Sequence, residues 1–165
     1  MLLCYILKER KSVMNQKNAI LIMNTLKQEY PEAKCSLDFR NPFELLIAVI
    51  LSAQCTDERV NKTTPSIFAK CPTPEAFVLI PIAELETLIH PCGFYKTKSK
   101  NIKATCQILV EKYHSTVPQT MEELMSLPGV GRKTANVVLL EAFHKPMRNC
   151  CRYPCKTISK PYGIV

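Results

Sequence analysis

The chain has 165 residues and a formal charge of +8, from 22 lysines and arginines against 14 aspartates and glutamates. This length fits one domain, or one domain and part of another, and 47% hydrophobic residues are enough for a buried core. The positive charge favours a polyanionic partner, nucleic acid first, while the lack of Trp and an aromatic content of 7% argue against base-stacking platforms as the main means of binding. No stretch is apolar for long enough to span a membrane, so no membrane association is expected.

The nine cysteines fall into two groups. Six are scattered singly, as expected of small buried thiols in a reducing cytoplasm: Cys4, Cys35, Cys55, Cys71, Cys92 and Cys106. The other three, Cys150, Cys151 and Cys155, crowd near the end. Adjacent cysteines rarely bind one ion and no His accompanies them there, so no metal site is predicted. The chain also starts with apolar residues before its charges, the reverse of a signal peptide, and we expect a cytoplasmic protein.

Two helix signals lie in the first third of the chain. Residues 16–29 place Ile22 and Leu26 at helical spacing, and Pro31 ends that run. At Asn41-Pro-Phe-Glu44, a capping Asn precedes Pro at the first helical position and Glu at the third, which predicts a helix start. The helix that follows is apolar on nearly all sides, so a central and buried position is predicted for it.

Helical patterns continue to residue 146. The predicted features, in order, are a cap at Thr56 or Asp57, a cap at Thr73, a short helix over 83–90, a long helix over 95–113, a capping box over 120–123 and a helix from Arg132 to about Phe143. Ile102, Cys106 and Leu109 are expected on the inner face of the long helix. Because no alternating strand pattern of useful length exists, the predicted fold is all-α. Residues 147–165 show neither the helical spacing of apolar residues nor strand alternation, and they are predicted to be an unstructured tail.

The most informative motif runs from Leu127 to Asn136, Leu-Pro-Gly-Val-Gly-Arg-Lys-Thr-Ala-Asn. Gly129 and Gly131 predict a tight hairpin whose backbone N–H groups can approach another group closely. The helix that starts directly afterwards adds unpaired N–H donors and a positive dipole end, which suits a phosphate oxygen. Val130 suits a hairpin anchored to its own core. The alternative is a purely structural turn between two helices.

Two cations open the helix after the hairpin. Arg132 and Lys133 are expected to contact phosphate or to be solvated surface charges. Held beside a DNA backbone, the Lys133 amine can also attack a sugar carbon as a Schiff-base nucleophile. Spacing alone makes the catalytic role the less common of these.

Two further segments are candidate DNA contacts. Gln54 follows the apolar helix; it is either part of a capped helix end or a polar side chain carried by a rigid element to a DNA surface. Phe94 precedes a lysine run that begins at Lys96, and this run is either a solvated face or a set of phosphate contacts. Phe94 itself is a core residue or a wedge between bases, and the core position is expected.

Together these segments resemble the endonuclease III family of DNA repair glycosylases, in the helix-hairpin-helix superfamily. The matching segments are NPFELLIAVILSAQCTDERVNK (41–62), GFYKTKSKNI (93–102) and VPQTMEELMSLPGVGRKTANVVL (117–139), and the likeness covers roughly residues 16–146. The resemblance implies removal of oxidised pyrimidines from duplex DNA and β-elimination at abasic sites, with the target nucleotide flipped out. It also implies a monomer associated with the nucleoid.

The resemblance assigns roles to individual residues. Lys133 matches the family's Schiff-base lysine, and Gln54 matches a residue that fills the hole left by the flipped base. Phe94 stands where the family more often has a Leu wedge. Gly129 and Gly131 match the phosphate-binding hairpin. The implied domains are an N-terminal part of an incomplete second domain over 1–34, whose apolar face is expected to be underburied, the helix-hairpin-helix six-helix domain over 35–146, and the non-family tail.

The sequence departs from the family after Pro146. The family continues with V-D-T-H, whose Asp assists the lysine, and then with four cysteines that hold a [4Fe–4S] cluster. The tail has neither, so no cofactor is expected, and a DNA-binding remnant without catalysis is favoured over the full activity. We hypothesise that the tail is family sequence read one nucleotide out of frame, because the codons allowed from Met147 onward, read one base later, permit V-D-T-H-V. The nucleotide sequence tests this: without V-D-T-H one base downstream, the hypothesis fails.

Overall fold

A computed structural model describes residues 18–26, 28–31 and 35–145. The chain divides into two units, one of which includes the first two of these segments, while the other is Cys35–Met147. In the first unit, residues 18–26 are helical and the helical assignment resumes at 28–29. The predicted tail over 147–165 lies outside the described residues.

The second unit is built from helices alone over residues 35–145. They are α1 (Pro42–Leu51), α2 (Asp57–Lys70), α3 (Pro74–Leu79), α4 (Ile82–Ile89), a 3₁₀ turn (His90–Cys92), α5 (Tyr95–Tyr113), α6 (Met121–Met125) and α7 (Arg132–Phe143). This confirms the all-α prediction. Among the described residues, no helix has both the length and the apolarity needed to cross a bilayer.

Helix α1 is the centre of the core, as its sequence predicts. Every residue from Phe43 to Leu51 is buried, and the helix packs against α2, α5 and α7. Its start has the predicted cap: the Glu44 backbone N–H donates to Asn41 Oδ1 at 2.9 Å, and the Glu44 carboxylate accepts from the Arg40 backbone N–H at 2.8 Å. The buried Glu44 carboxylate is also paired with the Arg40 guanidinium at 3.0 Å. This buried helix ends at Leu51, just before the turn that carries Gln54.

Helix α5 has an apolar inner face and a lysine-rich beginning. Ile102, Cys106 and Leu109 are fully buried, as predicted. Lys103, however, does not point to solvent: its ammonium donates to the Val78 carbonyl at 2.8 Å, near the end of α3. A cation at the carbonyl end of a helix satisfies groups that have no partner within that helix. Part of the lysine run is thus structural, contrary to the prediction of a solvated or phosphate-binding face.

Candidate nucleic-acid interface

The hairpin between α6 and α7 is anchored by its apolar residues. Leu127 and Val130 are buried, and the Val130 backbone N–H donates to the Leu127 carbonyl at 3.1 Å. The predicted anchoring role of Val130 is therefore correct. Since its side chain packs into the core, Val130 can meet a ligand only through its backbone.

The two glycines of the hairpin are required for different reasons. Gly129 has φ +77°, and a Cβ there would lie 2.9 Å from Nδ2 of Asn101 on α5. Both the backbone conformation and the close approach of α5 exclude a side chain. Gly131 has an extended φ of −90°, and a Cβ there would meet nothing within 4 Å. Gly131 therefore leaves open space in front of the backbone, which is the property that a backbone–phosphate contact needs.

Helix α7 starts with free donors and two cations. Gly131 is its N-cap and provides no side chain to the first turn, and the first bond of the helix is donated by the Ala135 N–H to the Gly131 carbonyl at 2.9 Å. Within the described part of the chain, the N–H groups of Arg132 and Lys133 have no acceptor. Both side chains are exposed. This combination of backbone donors, helix dipole and cations favours an anion.

Lys98 joins two candidate loops from the inside. Its side chain is buried, and its ammonium donates to the Leu51 carbonyl at 2.9 Å and to the Cys92 carbonyl at 2.8 Å. Burial lowers the pKa of Lys98. Leu51 ends α1 just before the Gln54 turn, and Cys92 precedes Gly93 and Phe94. A single ammonium therefore holds the two turns together, whereas Lys96 lies exposed on the outside.

Both turns carry a strained and exposed residue. Gln54 has φ +55° and Phe94 has φ +48°. A left-handed conformation costs a non-glycine residue about 1–2 kcal/mol. The remaining positive-φ non-glycine residues of the described chain lie at the ends of α5 and α7, where this conformation is common. Phe94 is 66% exposed, so the expectation that it is a core residue is wrong. Its strained turn projects the ring outward.

One face of α5 holds both the turns and the hairpin. Lys98, Asn101 and Thr105 are spaced three and four residues apart and share that face. Asn101 packs under Gly129, and the Thr105 hydroxyl donates to the Pro128 carbonyl at 2.8 Å. At 1.5 Å per residue, Phe94 and Asn101 are separated by about 10 Å along the helix. Sequence reasoning missed these three supporting residues, because polar side chains on a long helix usually indicate a solvated face.

The described residues do not fit an iron–sulfur cluster. Their free cysteines are Cys35, Cys55, Cys71, Cys92 and Cys106. No three His, Cys, Asp or Glu side chains of the described chain gather at one point. A [4Fe–4S] cluster is held by four thiolates. Cys150, Cys151 and Cys155 lie outside the described residues.

An all-helical unit with a Gly-Val-Gly hairpin, an open helix N-terminus and a lysine in the following turn defines a helix-hairpin-helix protein. The family profile described as "HhH-GPD superfamily base excision DNA repair protein" matches residues 47–156. The chain belongs to this superfamily.

Named relatives agree with this assignment. Endonuclease III of Synechocystis sp. is 52% identical over 134 residues, covering 81% of this chain and 61% of that protein. Endonuclease III of Escherichia coli K12 is 44% identical over 133 residues, covering 81% and 63%. The chain thus spans about three fifths of the length of these relatives.

A solved structure of a non-covalent endonuclease III–DNA complex superimposes with a TM-score of 0.75 at 48% identity, covering 78% of this chain and 60% of that one. A thymine-DNA glycosylase, at 24% identity and a TM-score of 0.72, shares the fold.

Proposed function

We propose that residues 35–145 bind duplex DNA at an abasic or damaged nucleotide. In this proposal the hairpin contacts the phosphate backbone while Gln54 and Phe94 enter the duplex. The observation that carries the proposal is the Lys98 tether, which ties the two turns that carry these strained, exposed residues to the helix that also supports the hairpin. Backbone strain is retained where function requires a particular projection.

The hairpin supplies the sequence-independent part of the binding. The free N–H groups at the start of α7 and the side chain of Arg132 suit phosphate oxygens. Lys96, in the first turn of α5, adds a second point of contact at the Phe94 end. Two separated contacts on the backbone fix the protein's position on the duplex, and the affinity they supply falls with salt.

Gln54 and Phe94 supply the preference for a damaged site. An exposed ring at a helix start is suited to wedge between bases, and the amide side chain of the tethered Gln54 turn is suited to occupy the space of a base that has left the stack. Unstacking costs a few kcal/mol, and least where a base is already missing or damaged. The two side chains therefore favour abasic-site DNA over intact duplex.

Lys133 is suited to covalent chemistry at the same place. Its amine can add to the aldehyde carbon of an open abasic sugar, forming a C–N bond and losing water to give a Schiff base. Strand cleavage then requires a base to remove a proton from the neighbouring carbon. The ion pairs of the described chain are Arg40–Glu44, Lys62–Glu58 and Lys70–Glu84, and none involves Lys133. Because the V-D-T-H segment, whose Asp assists this lysine in the family, has no counterpart in the sequence after Pro146, we propose that binding is retained while turnover is impaired.

A competing proposal is an active glycosylase with abasic-site lyase activity. It is favoured by the exposed amine in the first turn after the hairpin and by the likeness to a solved "Trapped Endonuclease III-DNA Covalent Intermediate" at 48% identity. Borohydride trapping on aldehydic abasic-site DNA distinguishes the two. A covalent adduct that Lys133→Ala abolishes, together with multiple turnovers of strand cleavage, supports the active enzyme. Specific binding without turnover supports the binding function.

The binding itself is tested by fluorescence anisotropy with a tetrahydrofuran abasic-site duplex and its undamaged match. We expect tighter binding to the abasic-site duplex. The logarithm of affinity should fall with the logarithm of salt by about 0.9 for each phosphate neutralised. Arg132→Ala should lower that slope for both duplexes. Equal affinity for the two duplexes, or affinity independent of salt, contradicts the proposal and leaves the hairpin as a structural turn.

A further inference from the structure

An open cavity lies between α2 and the segment that leads into α1. Its volume is about 660 Å³, and residues of Leu37–Arg40 and of the second half of α2 line most of it. Small-molecule sites in proteins have volumes of about 300–1,000 Å³. The lining includes no residue of the Gln54 turn, the Phe94 turn or the hairpin, so this cavity is separate from the candidate nucleic-acid interface.

The rim of the cavity at Asp38 is fixed to α2. The Asn61 side chain donates from Nδ2 to the Ser36 carbonyl at 2.7 Å, and its Oδ1 accepts from the Asp38 backbone N–H at 3.0 Å. Leu37, between these two contacts, is buried. The Asp38 side chain therefore extends from a backbone that is held in place. Asp38 is exposed, and no ion pair of residues 35–145 includes it.

The wall that α2 provides is apolar apart from one hydroxyl. Pro65 and the buried Phe68 line it. Thr64 also lines the cavity and is only 3% exposed, yet its hydroxyl enters no hydrogen bond within the described part of the chain. By contrast, the hydroxyls of Thr63 and Ser66 both donate to backbone carbonyls of α2, each at 2.8 Å. An enclosed hydroxyl without a protein partner is suited to bond a bound molecule.

The charges of the lining favour a cationic ligand. The lining contains one cation, Arg40, and two carboxylates, Asp38 and Glu44. Arg40 is already bound to Glu44: its Nε donates to Oε1 at 3.1 Å, and its Nη2 lies 3.0 Å from the same oxygen. Asp38 therefore carries the net negative charge of the lining, on a chain whose formal charge is +8. A free carboxylate beside an apolar wall attracts a cation and disfavours a phosphate.

We propose that this cavity binds a small amphipathic amine. The apolar part of the ligand packs against Pro65 and Phe68, and its ammonium pairs with the Asp38 carboxylate. A ligand whose second polar atom reaches the Thr64 hydroxyl gains a further hydrogen bond. Because an exposed ion pair contributes little, apolar contact supplies most of the affinity, and the charge adds about a threefold preference over a neutral analogue. A ligand of about ten non-hydrogen atoms should have a dissociation constant on the order of 1 mM.

NMR titration of the isotope-labelled full chain tests the site with three probes of similar shape: phenethylamine, phenylethanol and phenylpropionate. Phenethylamine should shift the backbone amide signals of Asp38, Thr64 and Ala69 until they saturate. It should bind about threefold more tightly than the neutral alcohol, and the carboxylate should bind most weakly. No saturable shift at these amides, or binding of phenylpropionate as tight as that of phenethylamine, overturns the proposal.

Three variants test the assigned contacts. Asp38→Asn keeps the backbone N–H that Asn61 binds and should lower the affinity for phenethylamine to that for phenylethanol. The matched control, Glu58→Gln, removes an equal charge from α2 outside the lining and should leave the affinity unchanged. Ala69→Leu adds volume to the wall and should weaken the binding of all three probes. Equal losses in Asp38→Asn and Glu58→Gln, or full affinity in Ala69→Leu, overturn the proposal. The titrations require no DNA, so they decide the ligand site whatever the outcome for the proposed function.

Discussion

Replacing Lys98 by Met removes the tether between the two turns and keeps most of the side chain's apolar length. The ammonium makes two buried hydrogen bonds, at 2.9 Å to Leu51 O and 2.8 Å to Cys92 O. A hydrogen bond that involves a charged group contributes about 1.5–3 kcal/mol, and a buried carbonyl left unpaired costs about 1–3 kcal/mol. Burial of the ammonium opposes these gains, as the lowered pKa of Lys98 shows. We expect a net loss of about 3 kcal/mol in the free energy of unfolding.

That loss should leave the variant folded under the conditions of the binding assay. Domains of this size have free energies of unfolding of about 5–15 kcal/mol, so a majority of the Lys98→Met variant should remain folded at 25 °C. Urea denaturation measures the change directly. Anisotropy should then show that the ratio of the affinities for the abasic-site and undamaged duplexes falls toward one, because Gln54 and Phe94 no longer share a fixed support. The salt slope should be unchanged, since Lys98 contacts no phosphate in this arrangement.

The matched control is Lys96→Met, two residues earlier and exposed. Its stability should change by no more than about 0.5 kcal/mol. The salt slope of its binding should fall by about 0.9 for both duplexes, and the ratio of its affinities for the two duplexes should be preserved. If Lys98→Met instead left stability intact and lowered the salt slope as Lys96→Met does, Lys98 would be an ordinary phosphate contact and the tether would be refuted.

Three further predictions concern single positions. Gly129→Ala should lower the free energy of unfolding, measured by urea denaturation, by about 2 kcal/mol, because φ is +77° and Asn101 occupies the space of the added Cβ. Gly131→Ala should change it by no more than about 0.5 kcal/mol, and equal losses in the two variants would contradict this account. Gln54→Gly should be about 1 kcal/mol more stable than Gln54→Ala, because only glycine relieves the positive φ, and a more stable alanine variant would show that no strain exists there. Burial raises the pKa of Cys106 to about 12. The unfolded thiol therefore ionises first, and its contribution to stability falls as pH rises from 9 toward 12, by at most about 1.4 kcal/mol per pH unit; Cys106→Ala should flatten that fall.

The helical fold and the hairpin could be predicted from the sequence, because capping residues and apolar patterns determine them locally. Asn41 caps α1 and the residues after it are buried on all sides, as their pattern predicts. Val130 anchors the hairpin for the same reason, since an apolar residue between glycines needs a core to pack on. Local propensity and apolar pattern determine such features, so they do not depend on how distant parts of the chain are arranged.

Phe94 and Lys98 show where sequence reasoning failed. Phe94 is apolar yet exposed, and Lys98 is charged yet buried. Lys98 is buried because its acceptor, the Leu51 carbonyl, lies 47 residues earlier in the chain. Phe94 is exposed because its turn has a strained backbone with φ +48°. Side-chain polarity predicts only average burial, and distant contacts or local backbone geometry override it at individual positions.

By itself, the sequence determined an all-helical protein with a Gly-Val-Gly hairpin before its last helix, because caps, glycines and apolar periodicity act within a few residues of one another. The tertiary structure alone decided which polar side chains face inward and which loops meet. The physical reason is that buried carbonyls at helix ends must find donors, and the nearest donors come from a distant helix. By providing them, Lys98 and Thr105 bring the Gln54 turn, the Phe94 turn and the hairpin onto one support.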